Sequence, residues 1–249
     1  MTPQLRRLLF ETLYRNKYLY RFASTVPFAG QWRAWQRLVL PRLRGNDVLE
    51  LGCGLGDLQA DMQDAGFACQ AVEHSPQMVA AARETLRKRG TGSPGNIIQG
   101  RAQGLPFSSN SFDNVVSTFP SEYIFDADTI SEVARVLRPG GRLIVVEGAN
   151  LLPIGFFQPI LMLLQMLVYG RAANTAARRQ AQQQATNNGS GRVTSLDKET
   201  GSGLTTEVVE QTNFGSRIPL EQFGLRRRSE LVRSRRWIVS LTIGEKAGL

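Results

Sequence analysis

Residues 50–57 read Glu-Leu-Gly-Cys-Gly-Leu-Gly-Asp, three glycines alternating behind an acid. Glycine reaches left-handed backbone angles and lets a ligand lie against bare main chain. An apolar run at 47–51 enters this turn and a helical pattern leaves it, and in open α/β sheets such a junction holds a cofactor. A dinucleotide site wants G-x-G-x-x-G, yet Gly52, Gly54 and Gly56 make G-x-G-x-G, and Asp57 stands where the third glycine would fall. A carboxylate there repels a pyrophosphate. No Gly-Lys-Ser/Thr follows, so the turn is not a phosphate loop. Glu73 ends the next apolar run, seventeen residues after Gly56. A carboxylate so placed can accept both hydrogen bonds of a ribose diol. The predicted ligand is nucleoside-like and lacks a phosphate chain.

These residues need a scaffold, and the pattern supplies one. Short apolar runs at 47–51, 68–73, 96–100, 112–119 and 142–147 read as strands. Helical patterns separate several of them. The best marked is 75–90, with Ser75 at the cap, Pro76 in the first turn and Gly90 past the end. Another spans 126–141, with Ile130, Val133, Ala134 and Leu137 on one face and Pro139-Gly140-Gly141 as its stop. The alternation predicts an open, mainly parallel sheet with helices on both faces. Residues 225–249 predict an antiparallel closing pair, preceded by a short helix at 218–225.

The stretch 46–147 resembles the class I S-adenosylmethionine (SAM) methyltransferases, in particular the quinone-biosynthesis and small-molecule branch. Four segments carry the resemblance in order: VLELGCGLGD, AVEHSPQMV, LPFSSNSFDNVVS and VLRPGGRLIVVE. It implies an α/β, doubly wound, mostly parallel seven-stranded sheet, the Rossmann-like methyltransferase fold, with its last strand antiparallel. It also implies SAM as cofactor; the sequence itself offers no metal-ligand cluster. Under it Gly52, Cys53, Gly54 and Gly56 take the methionine part, and Glu50 orders the turn and the ligand's amino end. Glu73 holds the ribose, and His74 lies beside adenine. One departure stands out. The family's Gly-Asp-Ala after strand three is Gly100-Arg101-Ala102 here. Arginine has only donors, so the adenine amino group looks to Gln103 for an acceptor, while Ala102 offers its amide. Ser117, Thr118 and Phe119 are expected on the sulfonium side.

Methyl transfer is an in-line displacement in which the protein aligns the acceptor. Glu122 and Tyr123, in the loop after strand four, are the acceptor-side candidates for catalysis. The resemblance divides the chain into an N-terminal helical cap (1–44), a SAM-binding core (45–147), an apolar segment with a flexible insertion on the lid or substrate side (148–224), and the closing strand pair (225–249). Tyr14, Tyr18, Tyr20 and Phe22 are candidates to line the acceptor.

Residues 148–170 carry no charge. Three readings stay open for the segment 150–170: a lid, a membrane-interface segment, or a dimer contact. The first two imply a small, apolar acceptor of quinone, lipid or natural-product type. Residues 172–203 read as a flexible excursion.

The 249-residue chain has a formal net charge of +9, and its arginines gather before the glycine turn and near the C-terminus. An anionic membrane surface and nucleic acid are both compatible with that balance. The enzymatic alternative is therefore a nucleic-acid methyltransferase, although no Asn-Pro-Pro-Tyr-type motif follows strand four. The non-enzymatic alternative is a SAM-binding module without turnover. The two cysteines, Cys53 and Cys69, form no metal or disulfide pattern. A reducing cytoplasm is the expected setting, since the first twenty residues contain no uninterrupted apolar run.

Overall fold

The computed structural model describes residues 30–90, 96–151, 193–195, 207–211, 217–234 and 237–248. Among them nine strands form one sheet: β1 (Asp47–Leu51), β2 (Ala68–Glu73), β3 (Ile97–Gln99), β4 (Phe112–Thr118), β5 (Leu137–Leu151), β6 (Val193–Ser195), β7 (Glu207–Gln211), β8 (Leu225–Ser234) and β9 (Trp237–Lys246). The spatial order is β3-β2-β1-β4-β5-β9-β8-β7-β6. Strands β1 to β5 pair in parallel, and β9 runs antiparallel to both β5 and β8. The seven strands β3 to β8 in that order are the expected doubly wound sheet with its last strand antiparallel. Strands β7 and β6 extend the same edge.

The helices are α1 (Trp32–Gln36), continued as a 3-10 turn over Arg37–Arg42, then α2 (Asp57–Asp64), α3 (Pro76–Arg89) and α4 (Ala127–Val136). The two sheet faces follow from side-chain alternation along the strands. Val48, Val116, Ile144 and Val146 face α1 and α2, meeting Trp35, Leu58 and Met62. Leu49, Val115, Leu143 and Val145 face α4, meeting Ile130, Val133 and Val136. Strands buried on both faces read as unbroken apolar runs, which is why Leu143–Val146 are apolar at every position and fully buried.

Several boundaries differ from the predicted ones. Helix α4 stops at Val136, three residues before Pro139 of the Pro-Gly-Gly stop, because Leu137 already pairs with Phe112. Strand β5 continues past 147 to Leu151, since β9 gives it a partner as far as Trp237. The short helix at 218–225 shrinks to a 3-10 turn over Glu221–Phe223. By contrast α3 begins and ends where its caps sit. The Ser75 hydroxyl accepts from the Met78 amide at 3.3 Å, and Gly90 is left-handed at φ 67°. Tyr14, Tyr18, Tyr20 and Phe22 lie outside the described residues, as do 152–192 from the uncharged segment and the flexible excursion.

Candidate active site

The glycine turn joins β1 to α2 at the carboxyl end of the sheet. Its three glycines have three different reasons to be glycine. Gly52 is left-handed (φ 73°), and a Cβ there would sit 2.8 Å from the Tyr123 hydroxyl. Gly54, at φ 54°, donates its amide to Glu73 Oε2 at 3.0 Å. Gly56, at φ 77°, lets α3 approach, for a Cβ would meet Ala82 at 2.9 Å. At Gly56 the close approach of Ala82 alone requires the missing side chain.

Glu73 is buried at the end of β2. Its Oε1 accepts the Ser75 amide at 2.8 Å while Oε2 accepts that of Gly54, so the carboxylate is fixed between the turn and the start of α3. Each oxygen keeps a second lone pair. Behind it lies Glu50, 1% exposed, with Oε2 buried and without a hydrogen bond. Burial pushes the Glu50 carboxyl up to about 8, and the charges of Glu73, Asp57 and Asp61 add to the rise. Asp61 is itself held by Arg33 at 2.5 Å and Arg89 at 2.8 Å. Four acids thus gather behind the turn, with Asp61 neutralised by its arginines and Glu50 biased toward its protonated form.

Ser117 and Tyr123 converge on the end of β1. The Ser117 hydroxyl lies 3.2 Å from the Leu51 carbonyl, the Tyr123 hydroxyl lies 3.0 Å from it, and the two hydroxyls are 2.7 Å apart. Three oxygens are linked with two protons between them. The Tyr123 hydroxyl is thus seated at the start of the glycine turn. Glu122, its neighbour in sequence, is exposed.

Thr118 accepts from Gln36 Nε2 at 3.2 Å, which ties the end of β4 to α1. Phe119 takes a left-handed angle, φ 50°, uncommon for a bulky residue. Its amide is held by the Val146 carbonyl at 2.7 Å, and its ring stacks on Trp32 with centroids 3.9 Å apart. Trp35 and Trp237 continue the cluster at 4.9 Å from each other. Sequence reasoning missed this aromatic wall. The spacing of Trp32 and Trp35 marks a helix face, but no local signal brings Trp237 to it across two hundred residues.

Of the residues expected beside adenine, His74 and Arg101 are exposed and Ala102 is partly buried. Gln103 donates its amide nitrogen to Asp126 at 3.0 Å, which leaves the carbonyl oxygen as its acceptor end. Cys53 turns its side chain into the packing among Ala60, Ala71, Val79 and Ala82, and burial pushes its thiol well up. Among the described residues no group of acids, histidines or cysteines could hold a metal ion.

The stretch that holds this glycine turn is similar to a methyltransferase domain. Residues 49–145 match the methyltransferase domain family. The ubiquinone/menaquinone biosynthesis C-methyltransferase of Shewanella halifaxensis is 34% identical over 136 residues, 51% of this chain and 54% of that protein. The demethylmenaquinone methyltransferase of Symbiobacterium thermophilum is 31% identical over 166 residues, 62% of this chain and 64% of that protein. The chain thus spans about half to two thirds of the length of the curated relatives it matches. In fold it is similar to a Pyrococcus horikoshii protein, with TM-score 0.54, 20% identity and coverage of 93% of this chain and 99% of that one. A putative SAM-dependent methyltransferase of Methanococcus maripaludis gives TM-score 0.55 at 14% identity, covering 94% and 92%.

Proposed function

We propose that the protein transfers the methyl group of SAM to a small, apolar acceptor of quinone or lipid type. The observation that supports this most is the adjacency of two surfaces. A phosphate-free cradle backed by four acids lies at the end of β1, and the Trp32–Phe119 stack stands at the end of β4. The first suits a cationic nucleoside and the second an apolar, planar partner.

The residues present fit SAM. Glu73 holds the ribose diol with its two remaining lone pairs. Gly52 and Gly54 give main-chain contact to the methionine part. The unpartnered Oε2 of Glu50 calls for a donor such as an ammonium. Bound SAM supplies a methyl group on a sulfonium, ready for in-line displacement. The chain's own part is to orient the acceptor against the aromatic wall and keep water from it. Glu122 stands at the rim as the candidate to take a proton from the acceptor.

Incubation with methyl-labelled SAM and a lipid extract tests the reading. Label in an organic-phase quinone or lipid is expected; label in RNA alone, or none, would reject it. Similarity to quinone methyltransferases over part of the chain agrees with that acceptor class. Among the described residues no helix is long and apolar enough to cross a membrane.

Two substitutions probe the cofactor side. Tyr123→Phe keeps the ring and removes the hydroxyl. It is expected to weaken SAM binding about 10-fold, the worth of one hydrogen bond to a charged group, with little change in melting temperature. An altered acceptor KM with unchanged SAM affinity would return Tyr123 to the acceptor side. Arg101→Asp restores an acceptor for adenine and is expected to tighten SAM about 10-fold by calorimetry. No change, or weaker binding, counts against a role for position 101.

A further inference from the structure

Strand β5 is bulged at its carboxyl end. Val146 pairs with Leu241 and Gly148 with Ser240, so Glu147 between them has no partner on β9. A bulge adds one residue to a strand and re-aims its side chain, and bulges gather beside active sites. The carboxylate at this bulge is held from one side. The hydroxyl of Thr242, a residue 2% exposed, donates to Glu147 Oε1. Among the described residues Oε2 accepts no hydrogen bond and no cation pairs with Glu147. That is unusual in a chain with 30 lysines and arginines against 21 acids.

The register ties Glu147 to both surfaces of the site. Val145 pairs with Ser117 on β4 and with Thr242 on β9, and Thr242 pairs with Ser229 on β8. Residues in register across a sheet point to one face, here the face of α4 that Val145 shares with Leu143. Under α4 that face is apolar, yet this row toward the strand ends carries three buried hydroxyls. That of Ser117 meets Tyr123, that of Thr242 holds Glu147, and that of Ser229 has no partner. On β4 the Phe119 amide donates to the carbonyl of Val146, the residue before Glu147. The Trp32–Phe119 stack and the Glu147 carboxylate therefore stand at neighbouring strand ends, where ligands bind in open α/β sheets.

We propose that Glu147 binds the methyl acceptor through a hydroxyl or N–H group of that molecule, and that Thr242 positions the carboxylate to do so. The inference rests on the methyltransferase reading, and it adds one hydrogen-bond donor to the apolar body of the substrate. Thr242 takes up Oε1 and leaves Oε2 free to accept. A carboxylate that no cation neutralises makes a strong, charge-assisted hydrogen bond. Beside an apolar wall, one such bond sets a planar molecule in a single orientation. Glu122 is exposed and has no side-chain hydrogen bond or ion pair among the described residues. It can meet a proton at the rim, but it fixes no orientation.

Equilibrium dialysis of the full chain, saturated with S-adenosylhomocysteine, against 2-naphthol and against its methyl ether tests this. Both probes are planar and apolar, and only the naphthol oxygen carries a hydrogen. The naphthol is expected to bind about 10-fold tighter than the ether, the worth of one hydrogen bond to a charged group. Glu147→Ala should abolish that preference. Glu147→Gln, which keeps a neutral oxygen in place, should retain about 3-fold. Thr242→Val should also lower the preference and Thr242→Ser restore it, a contrast that a role in packing alone would not produce. Affinity for S-adenosylhomocysteine, read by calorimetry, should match the parent's in all these variants. A parent chain that binds no S-adenosylhomocysteine overturns the methyltransferase reading and this inference with it. A chain that binds it but does not prefer the naphthol, or whose preference survives Glu147→Ala, overturns the place of Glu147 alone. Equal loss in both Thr242 variants overturns the positioning part given to Thr242.

Discussion

Replacing Glu73 by alanine is expected to weaken SAM binding by about 100-fold or more. Two hydrogen bonds to a charged acceptor, each worth about 1.5–3 kcal/mol, are lost with the ribose diol. The damage extends to the turn. The amides of Gly54 and Ser75 lose the carboxylate that now joins them. The left-handed angle of Gly54 then has no fixed partner, and the methionine part meets a looser main chain. Glu73→Gln separates the two effects, since it keeps one acceptor oxygen and places donors against donors. It should fall between the parent and the alanine variant. Calorimetry reads the affinities, and circular dichroism verifies the fold. An alanine variant within 3-fold of the parent would remove Glu73 from the cofactor site.

The second large effect belongs to Glu50. Its carboxyl stands at about 8 in the fold against an ordinary 4.5, raised first by burial and then by Glu73, Asp57 and Asp61. The sign follows from linkage. Below 4.5 folded and unfolded chains both hold the proton, and Glu50 exacts nothing. Between 4.5 and 8 only the folded chain holds it, so stability falls as pH rises. Above 8 the loss is complete, at about 5 kcal/mol as an upper bound. Glu50→Gln cannot ionise. Its melting temperature should pull ahead of the parent's from pH 5.5 to pH 8.5, by on the order of 10 °C at the upper end. Bound SAM brings positive charge to the same place and favours the ionised carboxyl. SAM affinity should therefore climb with pH toward 8 in the parent and not in Glu50→Gln. Parallel pH profiles for the two proteins would show that Glu50 does not titrate in this window.

The sheet was legible in the sequence because its strands are buried on both faces and its helices carry strong local punctuation. Ser75, Pro76 and Gly90 set the limits of α3 by chemistry confined to the helix ends. Where a boundary depends on a distant partner, local pattern fails. Strand β5 reaches Leu151 only because Trp237 lies across from it, and α4 stops early only because Phe112 claims Leu137. The cofactor residues follow the same division. The glycine turn and Glu73 are close in sequence, and their spacing announced a cradle without phosphate. That Gly56 clears Ala82, or that Tyr123 leans on Gly52, depends on how α3 and the loop after β4 settle against the turn. The arginine excess was visible as composition. Its pairing needed the fold, since β8 and β9 bring Glu230 and Glu245 to arginines from both ends of the chain.

Direct titration of the unaltered chain with SAM, S-adenosylhomocysteine and NAD in turn reaches the central assignment most simply. One SAM site per chain is expected, with S-adenosylhomocysteine competing for it and NAD unable to displace either. Absence of SAM binding, or displacement of SAM by NAD, would contradict a phosphate-free adenosyl cradle between the glycine turn and Glu73.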